Sequence, residues 1–387
     1  MFWMRRPLSA RQMWNHRRSD CAFFAQKPQQ LSHEMRFREA LSRAGYALEY
    51  SDAHLEETLR KFATGLVDPR AFSSAVVLDP VLKARSLEGF LVDSVRDLFY
   101  GTASRHREVG SLTHLFTRIR RKGVSPLEHT ESTRTNLKRL ISVAQMQQIA
   151  QELHDDIVTT APDDSADAKA IGSANKLNTM LSDALLTLAF KTVTDTADVR
   201  VLELFSRSLE RFSSSYFDDK EKTDAADGTP IMQQWSRYQV YNTEPLANAF
   251  ECSQLLAGAN AEERSAARQC GNDLALAIQA IKELDLFLNR ERHGPLGDPR
   301  SLPAVLANAG SNKASEVRRQ CGGPRSEADA EKSQREQRCI VDGMIGVIQG
   351  LTDGVLGYVA DCEASEASEA LRDIASALRI EHVITPT

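Results

Sequence analysis

The sequence predicts an all-α protein, a single-domain helical bundle, and three observations carry that prediction. From about residue 36 onward apolar residues recur at spacings of three and four, the period of a helix face. No segment alternates apolar and polar residues as a half-buried strand would. Aromatic residues make up only 6% of the 387-residue chain while Leu and Ala are plentiful, which favours helix over sheet.

The elements follow in order. Residues 1–19 carry Arg5, Arg6, Arg11, Arg17 and Arg18 with Phe2, Trp3, Leu8, Met13 and Trp14 interspersed, and the first acid is Asp20. An Arg-rich, acid-poor amphipathic start has the character of a mitochondrial presequence, so residues 1–35 are expected to be a presequence and disordered lead, cleaved between 20 and 35. A disordered basic tail is the alternative. Residues 36–387 are expected to form the all-helical domain. Leu55, Leu59, Phe62, Ala63 and Leu66 mark a helix over 54–66. Asp79-Pro80 opens another, with Val81, Leu82, Leu87, Phe90, Leu91 and Val95 on its apolar side. Arg118 to Lys122, followed by Gly123 and Pro126, reads as a solvated basic loop.

A long helix is expected from Thr135 to about Thr160, where Pro162 ends it, and then an acidic loop over 163–167. Further helices are expected over 174–192 and 197–216, and again over 231–257 and 261–289, the last two joined at Gly258-Ala259-Asn260. Gly294, Pro295, Gly297 and Pro299 interrupt the pattern, and Ser301–Asn308 reads as one short helix. Residues 311–337, rich in charge and containing Gly322-Gly323-Pro324, are expected to be a polar loop. Helices over 339–362 and 365–380 close the chain.

Bulk properties narrow the function. With 48 Lys and Arg against 53 Asp and Glu the net charge is -5, which gives no basic face for nucleic acid. No uninterrupted apolar run reaches the roughly 18 residues of a membrane span, though peripheral membrane contact is left open. The six cysteines, at 21, 252, 270, 321, 339 and 362, form no C-x-x-C pair and no zinc spacing, so reduced thiols are expected. His54, His106, His114, His129, His293 and His382 show no metal or triad pattern and are expected at the surface.

The chemistry-bearing feature is His154-Asp155-Asp156 near the end of a long helix. Carboxylates at i and i+4 share a helix face and can together hold Mg²⁺ against a diphosphate. Here the i+4 position from Asp155 is Thr159, a poor substitute. An adjacent Asp pair by itself is commonly a solvated helix end.

Its context changes that weighting. His154-Asp155-Asp156-Ile157-Val158 resembles the L-H-D-D-x-x-D motif of trans-isoprenyl diphosphate synthases. Asn175-Lys176, followed by Ser182-Asp183-Ala184-Leu185-Leu186, resembles that family's N-K-x5-G-D-x-L-L helix, with Ser182 in place of Gly. Trp235 and Tyr241-Asn242-Thr243 resemble its K-T segment, with Asn242 in place of Lys. Leu256-Ala257-Gly258, Cys270-Gly271 and Gln279 resemble the helix bearing the second aspartate-rich motif, and Tyr358 with Ser365 to Leu371 resembles the terminal helices. The likeness runs from about 80 to 380. It implies the isoprenoid synthase fold, all-helical around a central cavity.

The departures matter as much. In the family the second motif reads Q-x-x-D-D-x-x-D; from Gln279 the corresponding residues are Lys282, Glu283 and Leu286, and Asp285 is off register by about 100°. The cations that grip diphosphate are absent after the first motif, where residues 163–170 are acidic instead. Ionising an allylic diphosphate requires metal ions and cations to stabilise the leaving group. The pattern is most similar to subunit 2 of heteromeric decaprenyl diphosphate synthases. That resemblance implies a non-catalytic or regulatory subunit in the mitochondrial matrix, with no catalytic residue or metal of its own. It also implies a catalytic partner that holds Mg²⁺, in a heterodimer or heterotetramer making the ubiquinone side chain. The apolar helices around 137–157 and 177–189 are the expected partner contacts. Two alternatives stand beside this: an active prenyltransferase with atypical Mg²⁺ ligands (Asp155, Asp156, Asp163, Glu283), and a helical interaction protein unrelated to prenyl metabolism.

Overall fold

A computed structural model of the chain describes residues 105–122, 130–155, 157, 166–218, 231–288, 298–310 and 327–379. They form ten α-helices: α1 Arg105–Phe116, α2 Glu131–Asp155, α3 Ala166–Thr194, α4 Val199–Asp218, α5 Ile231–Tyr238, α6 Val240–Leu256, α7 Ala261–Leu288, α8 Leu302–Gly310, α9 Glu327–Ala360 and α10 Glu366–Leu378. No strand occurs among the described residues; one isolated bridge pairs Arg121 with Cys362. The all-α prediction therefore holds. The expected helices at 54–66 and 81–95, the expected presequence, and most of the expected loop at 311–337 lie outside the described residues.

Two helices organise the bundle. α2 packs against α1, α3 and α6, and from Asn136 to Leu153 most of its residues are buried, on every side. α6 packs against α1, α2, α4, α5 and α7. The core accordingly has two lobes. In one, Met146, Ile149 and Leu153 of α2 meet Leu185 of α3, Phe205 of α4 and Leu255 of α6. In the other, Phe116 of α1, Phe250 of α6, Leu274 of α7, Ile348 of α9 and Ile374 of α10 pack together. Phe116 stacks on Phe250 at 3.7 Å and on Tyr358 at 5.5 Å, joining α1, α6 and α9 through one column of rings. Each such fully buried side chain contributes about 1.5–3 kcal/mol.

Local chemistry sets the helix ends. At the α6–α7 turn Gly258 takes φ 83, a conformation open to glycine at little strain. Asn260 then opens α7 with a reciprocal cap: Glu263 N–H donates to Asn260 Oδ1 at 3.0 Å and Asn260 N–H to Glu263 Oε2 at 2.8 Å. Ser365 and Ser368 form the equivalent box at α10.

Several expectations are corrected. The basic segment at Arg118–Lys122 is not merely a solvated connection. Arg121 pairs with Asp361 at 3.2 Å, Lys122 Nζ donates to Ala360 O at 2.8 Å, and the Arg121–Cys362 bridge ties the segment to the C-terminus of α9. Exposed carbonyls at a helix C-terminus attract cations, which explains the placement. The segment expected as one helix over 231–257 breaks at Gln239 into α5 and α6. α9 begins at Glu327, so residues 327–337, expected as loop, are helical. α3 begins at Ala166, inside the expected acidic loop. His114, expected at the surface, is half-buried, and burial lowers its pKa, helped by Arg118.

One stretch of α9, Gln334–Ala360, is long and apolar enough to cross a bilayer by length and composition. Its apolar side, including Val341, Met344, Ile348 and Val355, packs in the core of this bundle. Cys252, Cys270 and Cys362 are free and buried, and Cys339 is free and exposed.

Candidate functional site

The two motif regions sit at the C-terminal ends of α2 and α7. His154 is half-buried and Asp155, the last residue of α2, is exposed. Asp156 and Thr159 lie outside the described residues.

On α7 every second-motif position is described. Lys282 Nζ lies 3.5 Å from Glu108 Oε2 of α1, so the ammonium is used in an ion pair between helices. Leu286 is 70% exposed and offers no oxygen. Glu283 is only 8% exposed. Its Oε1 accepts from Gln279 Nε2 at 2.8 Å and from Gln239 Nε2 at 3.5 Å; its Oε2 accepts from Leu302 N–H, the first residue of α8, at 2.6 Å. Burial pushes the Glu283 carboxyl above the usual range, and the hydrogen bonds from Gln279 and Leu302 hold it back.

Between the motif helices lies a row of amides that the sequence reading did not single out. Gln151, one turn before Asp155, donates to Asn242 Oδ1 at 2.9 Å; Asn242 Nδ2 donates to Gln239 Oε1 at 2.7 Å, and Gln239 reaches Glu283. Asn242, the residue in place of the family's Lys, thus bridges α2 to the α5–α6 break. The signal available in the sequence was the cluster Gln145, Gln147, Gln148 and Gln151 inside an otherwise apolar helix, where periodicity leaves no exposed face for them. Ser182 has a similar explanation: its hydroxyl is buried and donates to Ala150 O of α2 at 3.0 Å.

A second polar cluster joins α4, α6 and α7. Glu244, with 4% side-chain exposure, pairs with Arg268 at 2.5 Å; Arg268 also reaches Glu251 at 3.2 Å, and Arg211 stands 3.9 Å away. Burial raises the Glu244 pKa, against the pull of Arg268.

The α7 residues do not fit a Mg²⁺ site. Such a site needs several oxygens free to face the ion and substrate phosphates. Position 282 is an ammonium, both oxygens of 283 accept hydrogen bonds from the protein, and 286 is an alkyl chain. Among the described residues no group of three or more His, Cys, Asp or Glu is placed to hold a metal.

No family model and no curated protein matches the sequence. Solved structures do. A decaprenyl diphosphate synthase from Rhodobacter capsulatus superposes with TM-score 0.59 at 18% identity, covering 88% of this chain and 98% of its own. The polyprenyl synthase from Caulobacter crescentus CB15, complexed with calcium and isoprenyl diphosphate, gives 0.58 at 16% identity over 88% and 97%. Heptaprenyl diphosphate synthase from Staphylococcus aureus gives 0.58 at 14% identity over 86% and 98%. At these identities what is shared is the architecture: the chain has the all-α fold of the trans-prenyl diphosphate synthases.

Proposed function

We propose that this chain acts in prenyl metabolism as a non-catalytic or regulatory subunit of a heteromeric trans-polyprenyl diphosphate synthase. A catalytic subunit beside it holds Mg²⁺ and performs the condensation. The observation that carries the reading is the condition of α7. On a synthase fold, the positions in register with the second aspartate motif are an ion-paired Lys282, an internally bonded Glu283 and an exposed Leu286. The atypical-ligand alternative needs Glu283, whose two oxygens are both engaged. The basic, amphipathic residues 1–19 support import into the mitochondrial matrix, and with it a role in the ubiquinone side chain.

The face for the partner is narrower than the sequence suggested. Of the two expected contacts, 137–157 and 177–189, most of the first is buried against neighbouring helices of this chain, so the proposal relies on the second. The outer side of α3 remains, with Met180 52% and Phe190 42% exposed.

Co-expression with a catalytic polyprenyl synthase tests the proposal. The isolated chain, given Mg²⁺ with allylic and homoallylic diphosphates, is expected to make no long prenyl product, while the co-purified complex is active. Met180→Asp with Phe190→Asp is expected to abolish co-purification and leave the fold intact. Long-chain product from the isolated chain, lost on replacing Asp155 and Asp156 by Ala, overturns it.

A further inference from the structure

We infer that the α7 motif positions form a hydrogen-bonded lock, with Glu283 as the hub that couples α2 and the α5–α6 break to the start of α8. The inference goes beyond the proposed subunit role and does not depend on any partner.

The polarity of the hydrogen bonds carries it. Gln151 opens the row as a donor, and Asn242 and Gln239 each accept through oxygen and donate through nitrogen in the same direction: Gln151 to Asn242, Asn242 to Gln239, Gln239 to Glu283. A row of donors running one way ends on an acceptor, and the carboxyl oxygens of Glu283 take that place. Glu283 receives three donors on two oxygens, the third being the backbone N–H of Leu302 at 2.6 Å. No donor of its own is required anywhere in this arrangement.

The reason for anchoring α8 follows from its length. α8 has nine residues, too few to be stable as an isolated helix. Its first N–H groups have no partner inside the helix, and one buried at Leu302 (0% exposed) must find an acceptor. Glu283 supplies it, with the favourable charge for a helix N-terminus. Pairwise, the row ties Gln151 on α2, Asn242 on α6, Gln239 at the break and Glu283 on α7 to α8. The carboxylate that would face a metal ion in an active synthase pattern is turned instead into the keystone of internal packing.

The isosteric change Glu283→Gln tests the lock in the full-length chain. An amide keeps the volume but turns one acceptor into a donor, which must face either Leu302 N–H or the two glutamine amides. Backbone hydrogen exchange over residues 302–310 is expected to accelerate by about tenfold or more, while α3 and α4 keep wild-type rates. Asn242→Leu cuts the row in its middle and is expected to accelerate the same amides less. The two changes together are expected to be less than additive. Should Glu283→Gln fail to fold, Asn242→Leu alone carries the test, since it leaves the Leu302 cap in place. Wild-type exchange rates over 302–310 in both variants overturn the lock. So does protection of α8 by Mg²⁺ with inorganic diphosphate that appears in the wild type and vanishes in Glu283→Gln, because Glu283 would then be a metal ligand. Neither readout uses turnover or a partner, so failure of the subunit proposal is distinguishable from failure of this one.

Discussion

Replacing Gly271 by Ala probes the crossing on which both motif helices depend. Gly271 lies on α7 where it meets α6, and a Cβ built there falls 3.0 Å from Ala247 Cα, 3.0 Å from Leu246 O and 3.1 Å from Phe250 Cδ2. Carbon atoms in ordinary contact sit about 3.5–4.0 Å apart, so α6 must retreat by about half an ångström. Two of the three obstacles are backbone atoms, which no side-chain rotation relieves. Overpacking costs about 1–3 kcal/mol, and the backbone obstacles here put it in the upper half of that range, about 2–3 kcal/mol; about 1 kcal/mol from the better helix propensity of Ala offsets it, for a net loss of about 1–2 kcal/mol. The internal control is Gly346 on α9, where an added Cβ meets nothing within 4 Å. There the propensity gain stands alone, and Gly346→Ala is expected to stabilise by about 1 kcal/mol. Urea unfolding of both variants, monitored by circular dichroism at one protein concentration, measures the two shifts against the wild type. The midpoints should move in opposite directions with unchanged slope. A Gly271→Ala protein as stable as the wild type would falsify the close approach of α6 and α7.

Other perturbations follow from the buried charges. Arg268→Met leaves Glu244 with Arg211, 3.9 Å away, as its remaining cation and is expected to lower stability by about 3 kcal/mol; adding Glu244→Leu should return most of that loss in the same urea assay. Asp273 of α7 is pushed up to about 6 by burial, against a hydrogen bond from Gln269. The folded state therefore holds this proton more tightly than the unfolded chain does. Stability associated with it is full below pH 4 and declines as pH rises through 6. Asp273→Asn should flatten that segment of the pH profile and raise stability at pH 7 by about 1 kcal/mol, less than full linkage because the carboxyl keeps contact with water. Ser365→Ala removes the cap of α10 and should lower stability by about 1 kcal/mol.

Where helix formation is driven by burying a stripe, the sequence was readable. The apolar spacing through α2, α4 and α7 located those helices to within a few residues, and Gly258-Ala259-Asn260 marked the turn between α6 and α7. The first turns of α9 were missed for the converse reason. Gln334 to Cys339 are exposed, so no stripe announces them. What makes residues 327–338 helical is the propensity of Ala, Glu, Lys, Gln and Arg, continued from the buried part of the same helix. The break at Gln239 has no Gly or Pro to signal it, whereas Pro245, which would suggest an end, lies inside α6. Both lie in packed surroundings: Trp235, four residues before the break, is fully buried in the core, and Pro245 is buried within α6. The site was half legible for the same reason. The register of Lys282, Glu283 and Leu286 could be counted from Gln279, but the partners of Lys282 and Glu283, on α1, at the α5–α6 break and on α8, are far away in sequence.

Those partners bear on how the departures from the synthase pattern should be understood. A polar residue introduced at random into a packed interior leaves a donor or acceptor unpaired, at a cost of about 1–3 kcal/mol each. Four of the positions that differ from the resembled pattern show the opposite. Ser182 donates to a carbonyl of α2, Asn242 links two glutamines, and Lys282 pairs with Glu108. Glu283 accepts three hydrogen bonds. Leu286, the one replacement without a polar group, is also the one left exposed, where nothing needs to be satisfied. Groups that face an ion and a diphosphate must stay open to them; here Asn242, Lys282 and Glu283 are engaged within the bundle. The hydrogen bonds that engage Asn242 and Glu283 also hold α2, α6, α7 and α8 together, so under the proposed reading one set of contacts both occupies these side chains and packs the bundle.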